Sequence, residues 1–162
     1  MNQINHKPEH YNTINVYLFV DDGKAAVDFY VKAFDGVLGD LMEGPDGSIM
    51  HASVRIGDSS LMLSQANPQW GTKSPKSLGG SPAMIHLYVT DADAAFRKAI
   101  ECGCTEVSPL MDCFWGERMG KVADPFGFQW GISTQTEVLT AEEVKKRGAE
   151  WMQQMAESGP SS

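Results

Sequence analysis

The sequence is short of several things at once. None of its 162 residues belongs to an apolar run long enough to span a membrane, and the stretch Met1–Tyr11 carries no apolar signal core. Those shortages predict a cytoplasmic protein with no membrane partner. Positive charge is scarce: 13 Lys and Arg stand against 21 Asp and Glu, for a formal net charge of −8. That balance argues against nucleic acid as a partner and is mildly favourable to a cationic ligand. Cysteine is limited to three residues, an odd count that fits reduced thiols rather than a disulfide framework. Cys102-Gly103-Cys104 has no second Cys/His pair at zinc-site spacing, so it reads as a helix stop flanked by small buried residues. A Gly-rich phosphate loop, a nucleophile elbow and a Ser/His/Asp pattern are also missing. The scattered methionines (Met42, Met50, Met62, Met84, Met111, Met119) read as adaptable core.

What the chain does have is a repeat. Asn15-Val16-Tyr17-Leu18-Phe19-Val20 returns 69 residues later as Met84-Ile85-His86-Leu87-Tyr88-Val89. Both runs alternate like half-buried strands. Val16, Leu18, Ile85 and Leu87 point toward helices, while Asn15, Tyr17, His86 and Tyr88 point the other way. The helix stripe Val27, Tyr30, Val31, Phe34 maps at the same offset onto Phe96, Ala99, Ile100, Gly103.

The order read from the first copy is strand, helix, strand, strand, strand over residues 13–65. Asp22 caps the helix, Gly36 is expected to supply the left-handed turn that ends it, and Gly44-Pro45-Asp46-Gly47 and Gly57-Asp58 are turns. Residues 66–82, dense in Pro and Gly dipeptides, form a linker that carries Trp70. The second βαβββ unit occupies 83–134. Thr140-Ala141-Glu142-Glu143 is a capping box that opens a terminal helix over about 138–157. The helix should cover a sheet or a partner with Val144, Trp151, Met152 and Met155. Met1–Tyr11 and Ser158–Ser162 are expected to be loosely held ends.

Two βαβββ units, one closing on Gly57-Asp58 and the other on Asp124-Pro125-Phe126-Gly127, resemble the vicinal oxygen chelate superfamily of glyoxalases, extradiol dioxygenases, fosfomycin-modifying enzymes and bleomycin-resistance proteins. The segments Pro45–Ala52, Ile56–Ser59 and Gly79–Pro82, taken with that last turn, resemble its PhnB-like branch. The likeness runs from about Thr13 to Thr134. It implies an α+β fold of two tandem βαβββ modules forming a curved mixed sheet around a cavity, and a homodimer that closes the cup.

The resemblance also implies four inward-facing metal-ligand positions, which fall here on Asn15, Met62, Met84 and Gly131. Two thioethers, one amide and no side chain are a poor set for a divalent ion that favours imidazole and carboxylate. No metal and no cofactor are therefore expected. Two residues along the same strand faces stand Tyr17, Ser64, His86 and Ser133, a polar lining. His86 is the main candidate for acid–base chemistry, with Tyr17 facing it; a lone strand histidine can equally be a structural hydrogen-bonder. His51 and Arg55 share a strand face that looks either into the cavity or out to solvent. Trp115 and Glu117 set an aromatic beside a carboxylate, suited to a groove rim and to a cationic or planar group, while Phe114 or Trp115 can equally serve as core. Two readings follow: a metal-free protein that sequesters a small cationic or aromatic compound, or a lyase or glyoxalase-type enzyme using His86 or a displaced metal.

Overall fold

The computed structural model describes residues 6–158, so the ends expected at residues 1–5 and 159–162 lie outside the described residues. The first module contains β1 (Val16–Val20), α1 (Gly23–Ala33), β2 (Val37–Glu43), β3 (Ile49–Ile56) and β4 (Ser59–Gln65). A single 3-10 turn at Pro68–Trp70 and the short helix α2 (Pro75–Leu78) follow. The second module contains β5 (Met84–Tyr88), α3 (Ala92–Glu101), β6 (Thr105–Asp112), β7 (Glu117–Ala123) and β8 (Gln129–Gln135). Helix α4 (Ala141–Ser158) ends the described chain.

The architecture is α+β, with two four-stranded mixed sheets ordered β1-β4-β3-β2 and β5-β8-β7-β6. In each sheet the first strand runs parallel to the last, and the other pairs are antiparallel. The repeat survives in the register: Tyr17 pairs with Met62, and His86 with Gly131, each partner displaced by the same 69 residues.

Asp22 and Asp91 cap their helices, accepting from Ala25 N at 3.0 Å and Ala94 N at 2.9 Å. Helix α1 buries Val27, Tyr30 and Phe34, as the 3.6-residue period predicts, but also Ala26, Phe29 and Ala33. The stripe is broad because α1 meets its own sheet on one side and the second module on the other. Phe29 packs edge-on to Phe126 with ring centroids 5.8 Å apart, and Phe34 lies 4.3 Å from Trp130. One hydrophobic cluster therefore runs through both modules. At their junction the buried Asp124 carboxylate accepts from Tyr30 Oη at 2.8 Å, Trp130 Nε1 at 2.9 Å, and the backbone N–H groups of Phe126 and Phe128.

Two expectations need correction. The left-handed residue after α1 is Asp35 (φ 53°), not Gly36. Gly36 is required for space, because a β-carbon there would overlap Val54 Cγ1 and sit 3.0 Å from the Tyr30 carbonyl. Val16 faces the helix side but remains exposed, since it is the first residue of an edge strand and borders open space rather than packed core. The capping box forms as written: Thr140 N donates to Glu143 Oε2 at 2.8 Å, and Glu143 N to Thr140 Oγ1 at 3.2 Å. No helix among the described residues is long and apolar enough to cross a membrane.

Candidate functional site

In the second sheet the alternation of β5 and β8 separates two chemistries. Trp130 and Ile132 are buried toward the helices, and Ile85 and Leu87 pair with them in register. His86, Gly131 and Ser133 consequently lie on the opposite face, where β7 adds Glu117 and Met119. The side-chain-free position at Gly131 makes room for this group: a β-carbon there would lie 2.8 Å from Met119 Cε and 3.0 Å from His86 Nδ1.

Glu117 is the centre of that face. Its Oε1 accepts from Tyr88 Oη at 2.7 Å, and its Oε2 accepts from Ser133 Oγ at 2.8 Å and Trp115 Nε1 at 3.0 Å. His86 Nε2 stands 4.0 Å from Oε2, and its ring lies 4.7 Å from that of Tyr88. Partial burial pushes the Glu117 pKa up, but the donors Tyr88, Ser133 and Trp115, with His86, outweigh it and hold the carboxyl below its ordinary value. The hydrogen bond to Glu117 in turn raises the Tyr88 phenol above its usual pKa. Glu117 is thus a negative charge framed by three ring systems. Among the described residues its one ion-pair partner is His86.

Five of the residues singled out from sequence (His86, Tyr88, Trp115, Glu117 and Ser133) therefore converge. The others are distributed over the first sheet. Tyr17 Oη meets His51 Nδ1 at 3.2 Å, and no hydrogen bond or ring contact joins Tyr17 to His86 among the described residues. The expected Tyr17–His86 facing pair is replaced by Tyr17–His51, because β1 and β5 belong to different sheets. Asn15 turns onto the backbone of Asn12, donating to its carbonyl at 2.6 Å and accepting from its N–H at 2.9 Å. Ser64 is buried opposite Phe19, and Arg55 is exposed, with no ion-pair partner among the described residues.

Two cavities border the Glu117 cluster. A cleft of about 800 Å³ between the modules is lined by Asn15, Val16, Phe34, Leu87, His86 and Tyr88, among others. A second of about 630 Å³ is walled by Tyr88, Glu117, Thr90, Thr134 and Gln135. The chemistry lies on the wall the two share, at Tyr88. Thr90, Thr134 and Gln135 carried no sequence signal beyond adjacency to Val89 and Ser133.

The four inward-facing positions do not fit a metal. Asn15 is committed to Asn12, Met62 and Met84 offer thioethers, and Gly131 offers nothing. Among the described residues no group of three or more His, Cys, Asp or Glu could hold an ion. Cys102 and Cys104 flank Gly103 at the end of α3, and burial pushes the Cys104 thiol up to about 12, a packed rather than reactive group.

The family model for the Glyoxalase/Bleomycin resistance protein/Dioxygenase superfamily matches residues 7–132. An uncharacterised protein of Mycobacterium bovis is 46% identical over 135 residues, covering 82% of this chain and 89% of the relative. The crystal structure of TioX from Micromonospora sp. ML1 aligns with a TM-score of 0.61 at 25% identity, over 76% of this chain and 98% of that one. A PhnB protein from Bacillus cereus shares the fold with a TM-score of 0.60 at 16% identity, over 76% of this chain and 99% of that one.

Proposed function

The chain belongs to the Glyoxalase/Bleomycin resistance protein/Dioxygenase superfamily, and on that premise we propose that it binds a small organic cation of aromatic character at the Glu117 face of the second sheet. The observation that carries this is an ionised carboxylate, mostly withdrawn from water, whose hydrogen-bond partners are all neutral donors. The lowered pKa keeps that charge present at neutral pH, and an ammonium group seated there would pair with it. The rings of Trp115, Tyr88 and His86 around it add cation–π attraction and a stacking wall. The binding role needs none of the superfamily's metal. The motif segments Pro45–Ala52 and Asp124–Gly127, with the fold likeness to the PhnB protein, favour the PhnB-like branch.

The second reading is a lyase or glyoxalase-type enzyme in which His86 acts as base. The 4.0 Å approach of His86 Nε2 to Glu117 favours it, since a carboxylate so placed would stabilise the imidazolium formed on proton abstraction. The two readings separate on one pair of variants.

Binding of benzyltrimethylammonium, measured by titration calorimetry, should weaken at least about tenfold in Glu117→Gln, the loss of roughly one charged pair. In the parent, binding should fall as pH drops through the lowered Glu117 pKa, because protonation removes the charge. Equal binding by Glu117→Gln would refute the proposal. His86→Ala should weaken binding mildly in a binding protein; in an enzyme it should depress turnover far more than affinity.

We further propose a homodimer. The outer edges β2 and β6 are guarded by register shifts and by Asp40, Glu43, Glu106 and Asp112. The opposite edges, β1 and β5, pair regularly, contain no charged residue, and leave Val16, Tyr17, Met84 and Tyr88 exposed. Unguarded strand edges of that kind are what a second copy covers.

A further inference from the structure

We propose that helix α4 is a working part of the ligand site: it holds the loop Cys113–Gly116 so that Trp115 lies against Glu117. This rests on the reading of the Glu117 face as the ligand site, but its mechanical half stands without it.

Two independent attachments from α4 converge on that short loop. The first is aromatic. Phe114 makes a T-shaped contact with Trp115 at 4.9 Å and lies 5.7 Å from Trp151 of α4. Beneath Phe114 the helix is bare. Gly148 is buried in mid-helix, and a β-carbon there would stand 3.0 Å from Phe114 Cε2. Glycine inside a helix costs about 1 kcal/mol relative to alanine, so its presence where a ring packs indicates a seat for that ring. The second attachment is polar. The Gly116 carbonyl accepts from Thr136 N at 2.9 Å and Glu137 N at 3.0 Å. The Glu137 carboxylate is then gripped by both terminal nitrogens of Arg147 on α4, each at 2.9 Å. Gly116 itself is left-handed (φ 87°), and a β-carbon there would meet the Glu137 carbonyl at 2.9 Å.

Trp115 is thereby fixed from behind by Phe114 and from its C-terminal side by Gly116. Its indole N–H reaches Glu117 Oε2 at 3.0 Å while the residue stays 39% exposed, leaving area free for a ligand to stack on. The exposed half of α4, carrying Met152 and Met155, does not enter this account. Phe114, Arg147 and Gly148 are positioning residues: they act on the ligand through Trp115 and Glu117.

The test uses the full chain and the indole N–H resonance of Trp115, assigned with Trp115→Phe. Because that proton is donated to Glu117, its chemical shift should titrate with the carboxyl. In the parent the midpoint should lie below the ordinary glutamate range. In Gly148→Leu, which displaces Phe114, and in Arg147→Ala, which frees Glu137, the midpoint should move up, and benzyltrimethylammonium affinity should fall severalfold with little change in melting temperature. An unchanged titration in both variants would overturn the proposal, whatever the affinities did. A shifted titration in a protein whose parent binds no benzyltrimethylammonium would uphold the brace and defeat the binding reading instead, so the two failures are distinct. Loss of folding in Gly148→Leu leaves the half-buried Arg147→Ala to decide.

Discussion

Replacing Tyr30 by Phe removes one oxygen from the place where the two modules meet. The Tyr30 hydroxyl is fully buried and donates to Asp124 Oδ2 at 2.8 Å, across 94 residues of sequence. Burial and then the Asp124 charge keep the phenol protonated well above its ordinary range, so the donor persists at every pH of interest. No water replaces it in the variant, because the ring is enclosed by Phe29, Phe34, Phe126 and Trp130. A hydrogen bond to an ionised acceptor contributes about 1.5–3 kcal/mol, and a chain of this size loses roughly 2–4 °C of melting temperature per kcal/mol. Tyr30→Phe should therefore melt about 3–12 °C lower by calorimetry. Asp124→Asn should cost more. Oδ1 serves two backbone N–H groups and Oδ2 serves two side-chain donors, so either amide orientation aims an NH2 at donors. The pH dependence has a definite sign. Burial raises the Asp124 pKa in the folded state despite its four donors. Its contribution is thus fully present below the unfolded carboxyl pKa and is lost as pH rises through the higher folded value. A Tyr30→Phe protein that melts with the parent would refute the idea that this hydrogen bond joins the modules.

Gly36→Ala should destabilise by about 1–3 kcal/mol through overpacking against Val54; a neutral result in urea unfolding would show that β3 gives way freely. Purified without chelators, the protein should carry no stoichiometric Zn, Ni, Mn or Fe, because Asn15, Met62, Met84 and Gly131 cannot form a ligand set. Elemental analysis finding a full equivalent of metal would reverse that and revive the enzyme reading. Light scattering should report a dimer at micromolar concentration, and a monomer would remove the role given to the β1 and β5 edges.

The fold was legible because the sequence states it twice. A 69-residue self-similarity carrying two alternating strands and two Asp-capped helices leaves little freedom, and the strand register reproduces the same offset. What pattern alone could not supply was how each helix is used. The Val27–Phe34 stripe describes a helix with one neighbour, whereas α1 has two, and Phe29 packs against Phe126 of the second. Gly36 misled for a related reason. Glycine after a helix normally signals handedness, but here Asp35 takes the left-handed turn and a tertiary contact with Val54 demands the missing β-carbon.

The candidate site divided along the same line. Residues whose facing follows from strand alternation in the second sheet came together, so His86, Tyr88 and Ser133 meet Glu117 without any long-range guess. The pseudo-symmetry of the repeat sets Tyr17 opposite His86, but it relates positions in two sheets and does not make them neighbours. Its partner is the equally polar His51, two strands across in its own sheet. The same duplication thus predicts each face correctly and cannot predict which faces meet. The symmetry of the repeat is also broken in chemistry: the first sheet's polar face has a Tyr17–His51 pair and, among the described residues, an Arg55 without an ion-pair partner, while the second centres on a carboxylate that accepts from Tyr88, Ser133 and Trp115.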